Sequence, residues 1–178
     1  MRNETVVARD RAVLFLGLCE LVESRLASSK NYAYAVDALN LAWGWVAGHD
    51  VTGSALADMG YDEAGFGVGG SMAVETDHDL LPVWGCIDLA VSLTAFAAYL
   101  AEGKTTKQMN EDVAEVDSEE CRDQFASWFS SLIPLNTLPD HYRTALDGLP
   151  KESITRSAVR DCAFAALHVA AADSVELR

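Results

Sequence analysis

Between Lys30 and Lys104 the chain contains no lysine or arginine, while the same 73 residues carry ten carboxylates. The deficit continues to Asp123. Residues 31–123 hold 3 basic and 17 acidic side chains, against 5 and 4 in residues 1–30 and 5 and 6 in residues 124–178. The net charge of −14 therefore resides in the middle of the sequence. A field of one sign concentrates cationic partners and repels phosphate backbones and anionic membrane surfaces. The missing basic patch argues against nucleic-acid and membrane partners, and a positively charged protein is the expected one.

Other absences narrow the class. β-Branched residues are sparse and no convincing run alternates apolar with polar side chains, so the strand signal is missing. No internal repeat of about 20–50 residues is present, which argues against solenoids and propellers. The four cysteines, Cys19, Cys86, Cys121 and Cys162, are widely spaced without a C-x-x-C pair and fall inside apolar or helical patterns. They read as buried thiols rather than disulfides. The N-terminus runs from Met1 straight into an amphipathic pattern containing Arg9, Asp10 and Arg11, with no signal-peptide core, so a cytoplasmic location is expected.

Half of the 178 residues are apolar, which separates this acidic chain from disordered ones and predicts one folded domain over residues 1–178. The spacing predicts an all-α bundle of about six or seven helices around a central apolar helix. Val7, Leu14, Leu18, Leu21 and Val22 place a long amphipathic helix from about Thr5 to Ala27. A second is expected from an Asn31 cap to Ala47 with Gly48 as its stop, and a short third from Thr52 to Gly60. A glycine-rich, acidic loop is expected to about Ala73. The central helix then starts near Asp77 to Asp79, accepts Pro82 in its first turn and ends at Gly103. Its stretch Leu80–Ala101 has one charge, Asp88, and is long enough to span a membrane. That charge near mid-span and the lack of close flanking cations favour the buried centre of a soluble bundle instead. A capping box of Asp117 and Glu120 is expected to open a fifth helix, followed by one between Thr137 and Gly148 and a last from about Ser153 to Val175.

The candidate chemistry is weak. Gly65, Gly67 and Gly70 satisfy G-x-G-x-x-G, but no strand precedes them and Asp62 and Glu63 would repel a phosphate, so the segment reads as a loop. His49, His78 and Asp79, with a later Asp123 or Asp173, form the one enzymatic alternative, a metal-dependent phosphohydrolase of the helical HD type. Against it, His49 follows a helix stop, and an Asp at a helix start is expected as a cap. The acidic run from Glu111 to Asp123 lacks a second carboxylate pair on a facing helix and any EF-hand spacing, so neither metal nor cofactor is expected. His141 and His168 have no catalytic partner at defensible spacing. The four tryptophans occupy apolar helix positions and read as core. No catalytic residue is assigned.

A succession of packing residues adds a more specific signal. Ala38-Leu39, Trp43-x-Trp45, Gly48, Val51 and Leu56 are followed by Trp84-x-x-Ile87, Ala90, Ala98-Tyr99 and Gly103, and then by Glu111-Asp112-Val113-Ala114-Glu115-Val116. From Tyr32 to about Leu132 this order resembles the sixth-numbered immunity protein family of bacterial polymorphic toxin systems. The resemblance implies a non-enzymatic helical antidote that protects a bacterium from a toxin delivered by kin or made by itself. It also converges with the charge distribution, since an acidic surface would steer a basic toxin domain into a complex. On charge and expected exposure, the candidate contacts are Asp58, Asp62, Glu63, Glu75, Asp77 and Asp79 around the loop. Glu111, Asp112, Glu115, Asp117, Glu119 and Glu120 lie beyond it.

Overall fold

A computed structural model describes residues 4–60 and 67–176, and throughout these the architecture is all-α. The helices are α1 (Glu4–Cys19), α2 (Tyr32–Val46), α3 (Gly53–Gly60), α4 (Gly67–Ala73), α5 (Leu81–Ala101), α6 (Glu111–Glu115), α7 (Glu119–Leu132), α8 (Leu138–Asp147) and α9 (Arg156–Glu176). Short 3₁₀ turns at Glu23–Ser28, His78–Leu80, Thr106–Gln108 and Lys151–Ser153 join several of them.

The organising element is α5, apolar nearly all round and wrapped by α1, α2, α3, α4, α6 and α7. The segment His78–Ala101 is long and apolar enough to cross a membrane by length and composition, and here it is the core helix, with Trp84, Ile87, Ala90 and Leu93 essentially inaccessible. Small side chains set its closest neighbour. Ala8, Ala12, Leu16 and Cys19 are buried on α1, which packs along α5, and the Cys19 thiol donates to the Cys86 carbonyl at 3.4 Å. On another side Gly85 admits the Trp128 ring of α7 so closely that an added Cβ would overlap it. Gly48 (φ 84°) and Gly103 (φ 76°) end α2 and α5 in the left-handed conformation, as their positions in the sequence predict.

The hairpin of α8 and α9 packs onto α1 through two contacts. Tyr142 of α8 is buried over Gly17, its hydroxyl 3.5 Å from the Val13 carbonyl, and a Cβ on Gly17 would occupy the place of that hydroxyl. At the start of α9, Arg156 Nε donates to Glu20 Oε1 at 2.8 Å, and Trp43 Nε1 of α2 donates to the same oxygen at 2.8 Å. Glu20 is buried, so this one carboxylate ties three helices together.

Several local expectations need correction. The first helix ends at Cys19 and gives way to a 3₁₀ segment rather than continuing to Ala27, because the chain must turn there to begin α2. The stretch expected as loop up to Ala73 contains α4, whose Val68, Gly70 and Ser71 are buried against α2, α3 and α5. The head of α7 is capped by Ser118, whose hydroxyl accepts from Cys121 N at 3.2 Å, and not by Asp117, which is drawn into an ion pair with Arg11 of α1. Cys19 and Cys86 are buried as expected, whereas Cys121 and Cys162 are half-buried, and all four are free thiols.

Candidate functional site

Of the twelve carboxylates expected to contact a partner, Asp62 and Glu63 lie outside the described residues. Eight of the others, Asp58, Asp77, Asp79, Glu111, Asp112, Glu115, Glu119 and Glu120, are exposed, and among the described residues none of these is ion-paired with a lysine, arginine or histidine. The remaining two have internal work. Glu75 is half-buried and its carboxylate accepts from Ser29 Oγ at 2.7 Å, from Trp84 Nε1 at 3.2 Å and from the backbone of Thr76 and Asp77. These bonds, led by that from Ser29, hold its carboxyl below the usual range and pin the turn before α5. Asp117 is half-buried against Arg11.

The fold brings part of this set to one corner. α3 and α6 both pack on α5, and Gly60 at the end of α3 sits against the Asp88 carboxylate and Ser92. Burial pushes the Asp88 carboxyl up to about 6, and repulsion from Asp112 on α6 adds to the shift. Asp88 and Asp112 therefore form a spot of unbalanced negative charge beside the end of α3, the helix that carries Asp58. Asp77 and Asp79 belong to the turn preceding α5, where the Asp77 side chain accepts from Asp79 N at 3.1 Å. Glu119 and Glu120 occupy the first turn of α7, a position the helix dipole favours.

The ligands of the hydrolase alternative do not assemble. His49, His78, Asp79 and Asp123 are exposed, and Asp173 is engaged by His141 at 2.8 Å. Among the described residues no three His, Cys, Asp or Glu side chains converge into a metal-binding group. Of the G-x-G-x-x-G glycines, Gly65 lies outside the described residues, while Gly67 and Gly70 belong to α4 rather than to a strand-to-helix turn. The core thiols are poor nucleophiles, since burial pushes Cys86 up to about 12 and raises Cys19 well above its ordinary value.

The sequence reading missed a second surface. α1, α7, α8 and the segment around Lys151 enclose a solvent-open groove of about 670 Å³. Its floor is apolar and aromatic, with Phe15 stacked on Phe125 at 3.9 Å between ring centroids and Phe129 beyond. Its rim carries Arg11, Arg122, Arg143 and Lys151 against Asp10 and Asp147. Segment-wise charge totals hid this, because the four cations come from separate parts of the chain. The available signal was the placing of Arg11, Arg122 and Arg143 beside apolar helix stripes.

A family model described as Immunity protein Imm6 matches residues 10–132. No curated protein and no solved structure matches the chain significantly. The matched segment runs from α1 through α7, contains the core helix and every carboxylate discussed as a contact, and leaves α8 and α9 outside. It spans more than half of the sequence, and the chain belongs to the Imm6 family of immunity proteins.

Proposed function

We propose that this immunity protein neutralises a cognate toxin domain by forming a stoichiometric complex in which its carboxylate-rich edge faces a basic surface of the toxin. The observation that carries the reading is the set of eight exposed carboxylates on α3, α6, α7 and the turn before α5 without a cationic partner among the described residues. Such a surface raises the association rate with a basic protein, and the gain falls as salt screens it. Asp62 and Glu63, which follow Gly60 in the sequence, are included in the proposal on their charge. Inhibition in this reading is by occupation of the toxin and involves no catalysis by this chain.

A tagged copy used as bait in its native bacterium, washed at moderate salt, is expected to retain one basic toxin domain at equal stoichiometry. Reversal of Asp62, Glu63, Asp77 and Asp79 to lysine should then slow association with that domain by about tenfold or more at low salt and flatten its salt dependence. The melting temperature should stay nearly unchanged. Association kinetics identical to the unaltered chain at every salt concentration would remove this edge from the interface.

A further inference from the structure

We infer that the groove between α1, α7 and α8 is a second docking surface for the toxin, and that it takes an amphipathic helical segment with apolar side chains on one face and carboxylates on its flanks. This rests on the immunity reading above and adds a contact of opposite charge. The floor supplies the apolar half of the match. Leu14, Phe15 and Leu146 are only half-buried and line an opening of about 670 Å³, so a seated helix would remove further apolar surface from water.

Charge complementarity selects the occupant. On a chain with a net charge of −14, this is the place where four cations meet two carboxylates. Arg143 and Lys151 are exposed and have no ion pair among the described residues, and the Arg122 guanidinium makes a hydrogen bond only through Nε, to the Ser118 carbonyl at 3.0 Å. Arg11 and Arg122 lie close enough that the second, after burial, destabilises the charge of the first. Asp117 answers Arg11 alone. An incoming carboxylate would find the free donors of Arg122, and elsewhere on the rim the unpaired Arg143 and Lys151, whereas a cationic segment would meet four cations against two carboxylates. The groove is partly open to solvent and not an enclosed cavity, which is compatible with a polypeptide occupant.

The test uses two exposed positions whose reversal should leave the fold intact, Arg143→Glu with Lys151→Glu, checked by thermal melting. The first probe is the toxin domain retained by the tagged chain, and its affinity for the double variant should fall by about tenfold or more. The second is a fluorescein-labelled helical peptide of about 15 residues, roughly 22 Å long, with leucines on one face and glutamates on both flanks. It should bind the unaltered chain and lose affinity for the double variant, and a lysine-flanked version should reverse that preference. Toxin binding by the unaltered chain with equal affinity for the double variant would overturn the groove and leave the immunity reading standing. No toxin binding by the unaltered chain would overturn both.

Discussion

Asp88 offers a quantitative test of how this fold holds its acidic corner. Its carboxyl titrates near 6 in the folded chain against an ordinary 3.8, first because α3 and α5 bury it and second because Asp112 repels its charge. The folded state therefore binds more protons than the unfolded state between those two values. The contribution of Asp88 to stability is most favourable below about 3.8, is lost as pH rises from there through about 6, and stays reduced above it. Taken in full, the shift corresponds to a ceiling of about 3 kcal/mol at neutral pH. Asp88 retains some solvent contact at its edge, and about 1–2 kcal/mol is the expected size after screening. Asp88→Asn removes the charge with little change in volume. Denaturant unfolding at a series of pH values should show the variant equal to the parent near pH 3 and more stable by about 1–2 kcal/mol at pH 7.5, with the gap opening between about pH 4 and pH 6. Asp112→Asn should shrink that gap and bring it to its full size at a lower pH, because removing the repulsion moves the folded-state pKa of Asp88 part of the way back toward its ordinary 3.8. Parallel curves for Asp88→Asn and parent across this range would refute the claim that Asp88 carries an unfavourable buried charge.

Two further changes probe how the C-terminal hairpin is attached. Glu20→Ala leaves the buried Trp43 Nε1 without its acceptor and the half-buried Arg156 with Asn40 Oδ1 alone and should destabilise the fold by about 2–3 kcal/mol in denaturant unfolding. Glu20→Gln, which keeps one acceptor oxygen, should lose distinctly less; losses equal to those of Glu20→Ala would deny the acceptor its role, and no loss at all would deny the charge any role. Gly17→Ala places a methyl group where the Tyr142 hydroxyl lies and against Val159. It should cost about 1–3 kcal/mol by overpacking, and Tyr142→Phe in the same chain should recover part of that loss. A neutral Gly17→Ala variant by calorimetry would mean that α8 can move away freely.

The fold was legible where pattern and burial agree. The run from Leu81 to Ala101 is apolar on every side because every side is covered, and Gly48 and Gly103 stop helices where the chain needs a left-handed residue. Local rules failed where tertiary contacts competed with them. Asp117 satisfies the capping pattern, yet Arg11, 106 positions earlier, draws it away and Ser118 takes the cap. The glycines of 67–73 weaken any helix signal, and it is burial against three neighbouring helices that makes α4 form there. Exposure of the acidic set followed from composition, since carboxylates without partners stay in water. The internal role of Glu75 did not, because its acceptors' partners, Ser29 and Trp84, come together only in three dimensions. The groove was invisible for the same reason, being built from helices that are far apart in sequence.

The use made of the few cations bears on why the acidic edge stays unneutralised. Arg9 donates to the Val46 carbonyl at the end of α2 and Arg25 to the Leu132 carbonyl at the end of α7, at 3.1 and 2.9 Å. Both positions answer the partial negative charge of a helix C-terminus. Arg11 goes to Asp117 and Arg156 to Glu20, joining α1 to the segment before α7 and to α9. Four of the arginines thus serve internal joints, and none of them reaches α3, α6 or the turn before α5. A surface required only for solubility is adequately served by interspersed charges of both signs, which avoid self-repulsion. Here eight exposed carboxylates are left in water without a cationic partner among the described residues, a negative field that the proposed basic partner would neutralise on binding. The same logic in the opposite sign applies to Arg143 and Lys151 beside the groove, so the two proposed surfaces together would select a partner by a charge pattern rather than by net charge alone.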